Sequence, residues 1–577
     1  MGTVRSTNTK NVLYPSLFFA VSSLLYVSHQ ICHFSLMRFL IYALAIYSGA
    51  FALVPAPTYV EQVGHGHLKL STACSLNSNI LDPILLQGFD RMMSAIFDDT
   101  ITLDSLVCVF DVCVEDAQAE LQLGVDESYE FRVMPQTSSL EISAKTRWGV
   151  LHSFTTIQQL AASSLFLQEL HIQDTPLHPH RGLMIDSARN YLTVDSILEQ
   201  LDIMALSKMN TLHWHLVDSQ SWPIVLTSYP EMALDAYSRH EIYTRTDFNA
   251  IVAYGRQRGI RIIPEIDMPG HARAGWRRND AELVICGDTI WEETSVEPPP
   301  GQLNLILDKT YDVVEDVYSE VSLAFPDNLF HVGCDEISVG CYNTSSSIRN
   351  WLKSNSNRGF LGLIDHWLDK ALPIFNNTEA RRLIMWEDVL LSDINASSLP
   401  KDVILQSWRE HSNIQQIAAR GYDVIISSSS FLYLDCGVGT FFTNDPRYVE
   451  NVTNHDWNYN GRDSWCGPYK TWQRIYSMNV TASLTETEKR HVLGYEAPLW
   501  SEQVDSNVLT QKLWPRAAAL AELSWSGNLN EAGQLRLDDF GLRLLAFREY
   551  LVRLGHHPTP LAPKYCLQNP GACTVAA

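Results

Sequence analysis

The feature that most constrains the fold of this chain is a repeat of apolar strand, loop and amphipathic helix that begins near Arg181. Such a repeat is typical of parallel strands joined by crossover helices. Eight strands are predicted, at residues 182–186, 211–217, 260–266, 329–333, 382–386, 403–407, 423–427 and 492–499. An open doubly wound sheet would also alternate, but no glycine-rich phosphate turn follows the first strand. The pattern therefore predicts an α/β protein whose main domain is a closed (β/α)8 TIM barrel.

The segment before the barrel has a different pattern. Tyr129, Phe131 and Val133 alternate with polar residues, as in a strand with one buried face. A helix is predicted over residues 146–163, where apolar residues recur every three positions. The sequence therefore predicts a small α+β domain over residues 53–176. A barrel domain with a C-terminal extension is predicted over residues 177–577.

The first 52 residues differ in composition from the rest, since they hold three basic residues and no acidic one. Two apolar runs occur there, and the second ends in a small-x-small pattern at residues 50–52. This is the layout of a secretory signal, and the runs are short for a membrane span. We predict that residues 1–52 are a signal or leader region, with Met37 as an alternative start, and that the protein is secreted. A vacuolar destination and a membrane-anchored amino terminus are the alternatives.

The cysteines agree with export. Of 11 cysteines, Cys32 lies in the leader, which leaves an even ten. No CxxC pair occurs, so zinc ribbons and thioredoxin-type redox motifs are not supported. Asn-x-Ser/Thr acceptors stand at Asn343, Asn376, Asn395, Asn451 and Asn479. The sequence therefore predicts a disulfide-bonded glycoprotein.

Polar and aromatic residues follow nearly every predicted strand. They include Arg189, Asp218, His271, Asp335, Glu336, Trp386, Trp408, Tyr433, Asp435, Trp500 and Glu502. In a (β/α)8 barrel these positions share one mouth, where function resides. Tryptophans can stack on a pyranose ring, and carboxylates can accept its hydroxyls. The pattern favours cleavage of a glycosidic bond, which needs an acid to protonate the leaving oxygen.

Three motifs carry a family resemblance, at residues 181–189, 213–218 and 331–336. They closely resemble the family 20 glycoside hydrolases, the β-N-acetylhexosaminidases, and residues 218–223 are most similar to the secreted fungal branch. The resemblance runs from about residue 55 to the carboxyl end. Two positions depart from the family pattern. Cys334 replaces a small residue, and the run at 305–308 replaces a more polar one.

The resemblance implies a substrate-assisted mechanism, in which the 2-acetamido oxygen of the sugar attacks its own anomeric carbon. Glu336 is then the general acid and later the base that activates water. Asp335 accepts the acetamido N–H, and Tyr433 donates to the acetamido oxygen. The product of the first step is an oxazolinium ion. The expected reaction is the exo-acting removal of terminal β-linked N-acetylglucosamine or N-acetylgalactosamine.

The resemblance also assigns the binding residues. Trp386, Trp408 and Trp500 would wall the acetamido group and the ring. Arg189, Asp435 and Glu502 would hold ring hydroxyls and close the end of the site. Asp218 and His271 would be a supporting pair near the two acids.

Two histidines and the net charge bear on other classes of function. His213 and His215 alternate on a strand and could suggest zinc, but no HExxH motif or third nearby ligand occurs. We interpret them as core histidines and predict no metal and no cofactor. A net charge of −23 argues against nucleic-acid binding. The expected partners are N-acetylhexosamine-terminated oligosaccharides, either chitooligosaccharides or glycans, and a homodimer is left open.

Two functional alternatives stay open. One is a catalytically inactive sugar-binding protein on the same barrel, and the other is a disaccharide-releasing relative that lacks the closed end wall. The fungal resemblance further implies three disulfides, Cys286–Cys341, Cys436–Cys466 and Cys566–Cys573. Cys334, just inside a barrel strand, is expected to stay a buried thiol.

Overall fold

The computed structural model describes residues 52–97, 107–355, 358–376, 381–393, 395–439, 441–442, 466–569 and 572–573. The predicted leader, apart from Ala52, lies outside these residues. No helix within the described ranges is both long and apolar enough to span a membrane.

A six-stranded mixed sheet forms the first part of the described chain. Its strands are β1 (Tyr59–Lys69), β2 (Ser75–Ser78), β3 (Val109–Asp116), β4 (Tyr129–Met134), β5 (Ser139–Thr146) and β6 (Phe166–Asp174). They are arranged in the order β1-β6-β4-β5-β3-β2. In β4 the side chains of Tyr129, Phe131 and Val133 are buried, as the alternation predicts.

Two helices accompany this sheet, α1 (Pro83–Ile96) and α2 (Arg147–Ala161). The predicted helix is confirmed in α2, which begins where the Thr146 hydroxyl accepts the Trp148 N–H at 3.2 Å. Helix α2 is buried along almost its whole length, because it packs against α1, against the sheet and against the first barrel helix.

A closed parallel barrel follows and confirms the predicted fold class. Its strands are β7 (His180–Asp186), β8 (Thr211–Val217), β9 (Arg261–Met268), β12 (Leu329–Gly333), β13 (Arg382–Trp386), β14 (Ile404–Ser407), β15 (Val424–Ile426) and β16 (Val492–Leu499). The loop after β9 contains a small hairpin of β10 (Val284–Ile285) and β11 (Gln302–Leu303). The connection from β6 to β7 contains the predicted domain boundary at residue 176.

Helices surround the barrel. The longer ones are α3 (Val194–Leu206), α4 (Arg245–Arg256), α7 (Asp308–Ser322), α9 (Ser346–Asn355), α10 (Phe360–Phe375), α12 (His411–Ala419), α16 (Arg516–Ser526) and α17 (Leu537–Arg553). Short ones are α5 (Trp276–Asn279), α6 (Trp291–Thr294), α8 (Val339–Thr344), α11 (Asp388–Leu391), α13 (Trp472–Tyr476), α14 (Glu486–Lys489), α15 (Leu509–Leu513) and α18 (Lys564–Gln568). Thr193 caps α3, since its hydroxyl accepts the Ser196 N–H at 3.3 Å.

The barrel interior contains charged pairs as well as apolar side chains. His213 contacts Glu496 at 2.8 Å and Glu265 at 3.0 Å, and His215 contacts Glu265 at 2.5 Å. Burial alone would lower the pKa of each imidazole, but the two carboxylates raise the pKa of His213 to about 9. Burial also acts to lower the pKa of His215, but the charge of Glu265 outweighs it and raises that pKa to about 10. Both histidines are therefore core residues paired with carboxylates, as the sequence suggested.

Among the described residues four disulfides are present. Cys286–Cys341, Cys436–Cys466 and Cys566–Cys573 confirm the pairings that the resemblance implied, and Cys74–Cys108 is a fourth. Cys334 is a buried free thiol, as expected, and Cys113 is an exposed one. Of the glycosylation acceptors, Asn343, Asn376 and Asn479 are exposed and Asn395 is half-buried, while Asn451 lies outside the described residues.

A buried ionic joint connects the small sheet to the barrel. Glu127 receives Arg181 N–H groups at 2.6 and 3.0 Å and an Asn210 N–H at 2.8 Å, and it contacts His152 at 2.9 Å. Burial acts to raise the pKa of Glu127, but the charge of Arg181 and the contact with His152 outweigh it and hold that pKa at about 2. Lys208 and Asp174 form a second buried pair at 2.7 Å beside it.

Glu127→Gln is expected to lower the free energy of unfolding by about 3–5 kcal/mol at neutral pH, because it leaves Arg181 buried without its counter-charge. The carboxylate has a depressed pKa in the folded state. Its contribution is therefore present above the unfolded pKa near 4 and is lost as the pH falls towards about 2. Denaturant unfolding at pH 6 and at pH 2.5 measures both effects. Glu130→Gln, at an exposed pair, is the control, and an equal loss at both pH values would contradict the prediction.

Candidate active site

The two adjacent acids reach the barrel mouth because the chain turns sharply after β12. Gly333, Cys334 and Glu336 have φ angles of +72°, +76° and +46°, in the left-handed region. This breaks the alternation of a strand, so that the carboxylates of Asp335 and Glu336 both lie near the His271 imidazole. Glycine is required at 333, since a Cβ there would lie 1.6 Å from Asp267 Oδ1.

His271 lies between the two acids, Asp335 and Glu336, and the buried carboxylate of Asp218. Its Nε2 lies 3.3 Å from Glu336 Oε2 and 4.0 Å from Asp335 Oδ2, and its Nδ1 lies 3.1 Å from Asp218 Oδ1. Burial alone would lower the pKa of His271, but Asp218, helped by the two acids, raises it well above the ordinary value. The imidazole is therefore a cation that supports both carboxylates, and the predicted pair of Asp218 and His271 lies where the sequence placed it.

The two acids differ in their surroundings. The Glu336 side chain is 24% exposed, whereas that of Asp335 is 9% exposed. Burial and the nearby Asp267 raise the pKa of Asp335 well above its usual range. A cavity borders Glu336 and is lined also by Ser219, His271, Glu297, Gln302 and Ser338. Glu336 thus opens to the cavity, while Asp335 lies deeper.

Aromatic side chains form a wall beside the acids. Trp408 stacks on Tyr433 with ring centroids 6.3 Å apart, and Trp500 lies 6.5 Å from Tyr433 and 6.0 Å from Trp386. The indole N–H groups are anchored from behind, that of Trp386 by Glu265 at 2.9 Å and that of Trp408 by Asp388 at 2.7 Å. Burial raises the pKa of Tyr433 well above 10, so its hydroxyl keeps the proton that a donor needs. The wall contains the three tryptophans that the resemblance assigned to it, and Tyr433, which it assigned as a donor, lies against them.

The residues assigned to the sugar hydroxyls lie at one side of this wall. Arg189 packs over the Trp500 ring at 4.8 Å and pairs with Asp186 at 3.3 Å, Asp218 at 3.0 Å and Glu297 at 2.6 Å. Asp435 accepts the backbone N–H of Trp500 at 3.5 Å, and burial raises the pKa of Asp435 to about 6. Burial and the charge of Glu297 raise the pKa of Glu502 well above its usual range, against the effect of Arg189. The three assigned residues are thus near each other, and their role in binding stays a prediction.

Four further carboxylates belong to the same neighbourhood and were not assigned from the sequence. They are Glu265, Asp267, Glu297 and Asp388. Asp388 accepts the backbone N–H of Glu336 at 3.5 Å and an Arg409 N–H at 2.6 Å. Glu297 stands directly before a run of three prolines in the long loop after β9. Its position beside these prolines was the only sequence feature that could have indicated Glu297 as a site residue.

Comparison with known proteins decides the family. The model of "Glycosyl hydrolase family 20, catalytic domain" matches residues 178–528. The chain belongs to glycosyl hydrolase family 20. A second family model, described as "beta-acetyl hexosaminidase like", matches residues 102–160. This family 20 chain is a glycoside hydrolase, and hydrolysis of hexosaminides is its activity.

Similar proteins come from fungi and insects. A beta-hexosaminidase of Emericella nidulans is 51% identical over 484 residues, which cover 81% of this chain and 80% of that one. A chitooligosaccharidolytic beta-N-acetylglucosaminidase of Ostrinia furnacalis is 36% identical, with 78% of this chain and 75% of that one covered. Among solved structures, the Flavobacterium johnsoniae chitobiase has the same fold, with a TM-score of 0.70, 24% identity, and coverage of 88% of this chain and 73% of that one.

The Cys436–Cys466 disulfide packs in the same cluster as Trp386, Trp408 and Tyr433. Replacement of both cysteines by serine is expected to lower kcat/KM about 10- to 100-fold, because Tyr433 and Asp435 lose a fixed neighbour and small misplacements are costly in an active site. The measurement is steady-state kinetics beside near-ultraviolet circular dichroism.

Removal of the Cys566–Cys573 bridge is the matched control, since it lies at the carboxyl end of the described chain. We expect that control to keep its activity. Equal loss in both double variants would show that the bridges act on the fold as a whole.

Proposed function

We propose that this family 20 enzyme removes terminal, non-reducing β-linked N-acetylglucosamine or N-acetylgalactosamine from oligosaccharides, with retention, through an oxazolinium intermediate. The observation that carries the proposal is the placement of Asp335 and Glu336, two adjacent carboxylates within 4.0 Å of one imidazole. Glu336 is the more open to the cavity, and Asp335 is the more buried. This division suits an acid that meets the leaving group and a carboxylate that meets the acetamido group.

The first step breaks the glycosidic bond. Glu336 gives its proton to the leaving oxygen while the acetamido carbonyl oxygen forms a bond to the anomeric carbon. Asp335 accepts the acetamido N–H, and its negative charge offsets the positive charge that develops on the ring. The Tyr433 hydroxyl donates to the acetamido oxygen and holds it within reach of the anomeric carbon.

The second step opens the oxazolinium ion. Glu336, now ionised, takes a proton from water, and the resulting oxygen nucleophile attacks the anomeric carbon. The acetamido group is restored, and two inversions give net retention. Asp388 and His271 hold Glu336 in place from two sides in both steps.

The exo mode rests on the closed side of the site. Arg189 is fixed by three carboxylates and by the Trp500 ring, and Asp435 and Glu502 lie beside it. Such a wall suits the hydroxyls of a terminal sugar, and we expect it to block the binding of a further sugar residue beyond them. The name of the Ostrinia relative supports chitooligosaccharides as the substrate class. Product analysis separates this from the disaccharide-releasing alternative, since monosaccharide should be the first product of a tetramer.

The test of the mechanism uses the wild-type enzyme. A chromogenic N-acetylglucosaminide should be hydrolysed, whereas the corresponding plain glucoside, which lacks the acetamido group, should not. Mono-, di- and trifluoroacetyl substrates should be cleaved progressively more slowly, because fluorine withdraws electron density from the attacking oxygen. A thiazoline analogue of the cyclised intermediate should bind far more tightly than substrate. Indifference to fluorination, or a sugar ester trapped on a carboxylate, would instead indicate the two-carboxylate route.

We also propose that the protein is secreted after cleavage behind Ala52. Disulfides form and persist in oxidising compartments, and four are present in the described chain. Amino-terminal sequencing of the mature protein tests this. A mature chain that retains residues 1–51 would favour the membrane-anchored alternative.

A further inference from the structure

Asp267 lies directly behind the proposed acetamido-orienting residue. It is fully buried near the end of β9, and its Oδ1 accepts the backbone N–H of Cys334 at 3.3 Å. The glycine at 333 is what allows this approach, since a side chain there would collide with that same oxygen. The carboxyl group is thus fixed against the turn that carries Asp335.

The Asp267 carboxyl group lies beside the catalytic cluster. A carboxylate oxygen of Asp267 and one of Asp335 lie within 4.8 Å of each other and of a His271 nitrogen. Asp267 Oδ2 and Asp335 Oδ1 are both buried and receive no N–H or O–H group from the described residues. A buried carboxylate oxygen in that state is costly, and one proton placed between the two groups would satisfy both.

The surrounding charges favour one proton between the carboxyl groups of Asp267 and Asp335. The charged groups near Asp267 and Asp335 are His271, His215, Asp218, Glu265, Glu336 and Asp388. His271 and His215 are the cations among them, and both are already paired. His271 contacts Asp218 at 3.1 Å and Glu336 at 3.3 Å, and His215 contacts Glu265 at 2.5 Å and Asp218 at 2.9 Å. Two further anions side by side would lack a counter-charge. Burial and the charges of Glu265 and Asp218 accordingly raise the pKa of Asp267, and burial and the charge of Asp267 raise that of Asp335.

We propose that Asp267 is a positioning residue that shares one proton with Asp335, with the proton held on Asp267 Oδ2 and donated to Asp335. The inference rests on the proposed function, because it concerns the carboxylate that accepts the acetamido N–H. The shared proton leaves Asp335 with a single negative charge, fixes its plane, and leaves its other oxygen for the substrate. No proton leaves the pair during the reaction.

Two substitutions of Asp267 are expected to differ in activity. In Asp267→Asn the amide oxygen can accept the Cys334 N–H, and the amide NH2 takes the place of the protonated oxygen. This variant should keep kcat within about tenfold of the wild type, since the donor to Asp335 is preserved. In Asp267→Ala the donor is lost, and kcat should fall by about 10²-fold with little change in KM.

The pH profile gives a readout that a purely structural role would not move. Loss of the donor raises the pKa of Asp335 further, because its charged form loses a hydrogen bond. Activity needs ionised Asp335, so in Asp267→Ala the acid limb of kcat/KM should move to higher pH. In Asp267→Asn the acid limb should stay where the wild type has it.

Infrared difference spectroscopy of the free enzyme at pH 7 reports the proton itself. The C=O stretch of one protonated carboxyl group should be lost in Asp267→Asn and equally in Asp335→Asn, because each leaves a single carboxylate facing an amide. Asp423→Asn is the matched control and should keep that band, since Asp423 pairs with Arg382 and His491 at the far end of the barrel.

An unchanged band in Asp267→Asn, or an Asn variant as inactive as the Ala variant, would overturn the proposal. The infrared measurement involves no substrate, and the fluorinated substrates are tested on the wild type. Failure of this inference is therefore distinguishable from failure of the proposed function. If the Ala variant does not fold, the Asn variant and its spectrum still decide.

Discussion

Glu336→Gln is expected to lower kcat for substrates with poor leaving groups by about 10²–10⁴-fold, the usual contribution of general acid catalysis. The amide has the same shape but has no proton to give to the leaving oxygen. The loss should be smaller for an activated aryl leaving group, whose departure needs little protonation. The measurement is kcat for a series of aryl N-acetylglucosaminides of increasing leaving-group pKa.

The structure supplies the control for this experiment. Glu410 is an exposed carboxylate after β14, next to the aromatic wall, so Glu410→Gln makes the same chemical change without touching the acid. Binding of the thiazoline analogue should persist in Glu336→Gln, since that ligand has no leaving group. Equal losses for good and poor leaving groups would exclude Glu336 from the acid role.

Asp335→Asn should produce the second large loss, about 10²–10³-fold in kcat, because the developing positive charge loses its anionic partner. The thiazoline analogue should bind correspondingly less tightly to this variant, since its ring nitrogen would face an amide. Tyr433→Phe should have a smaller effect, because one hydrogen-bond donor to the attacking group is lost and the ring still packs against Trp408. Kinetics and inhibition constants for both variants give the comparison.

A specific outcome would contradict that assignment. If Asp335→Asn bound the thiazoline as tightly as the wild type, Asp335 would not be the partner of the acetamido nitrogen. Asp423→Asn again controls for the simple loss of an acid, and thermal unfolding of each variant checks that the barrel is intact.

The sequence predicted the barrel well because its strands are buried on both sides. Strands of that kind are short apolar runs, so β8, β12, β13 and β16 begin and end where the apolar runs predicted. Strand β9 extends two residues further than predicted, to Met268. The last residues of β9 include Glu265 and Asp267. Charged residues interrupt the apolar pattern from which strand ends are predicted, even where the fold supplies buried partners for them.

Site residues that directly follow barrel strands could be predicted from the sequence, whereas those in long loops could not. The mouth of the barrel brings together strand ends that are far apart in the chain, so Asp218, His271, Asp335 and Tyr433 could be grouped from topology alone. Glu297 comes from a long loop whose path no periodicity fixes. The proximity of Asp267 and Asp335 depends on left-handed backbone angles at Gly333, Cys334 and Glu336, and the sequence contains no local signal for those at the two non-glycine residues.

The buried joint between the small sheet and the barrel bears on how this enzyme can be engineered. Arg181 and Lys208 belong to the barrel, yet their carboxylate partners Glu127 and Asp174 belong to the preceding sheet. A barrel expressed from residue 177 onward would therefore expose two unmatched cations. It would also expose Trp525, whose ring lies 5.0 Å from that of His152 and whose indole N–H donates to Asp174 at 2.8 Å. Domain-swapped chimeras should keep both halves from one parent, or exchange these four residues together. Because of these buried ion pairs, we do not expect the sheet and the barrel of this enzyme to be exchangeable as independent units.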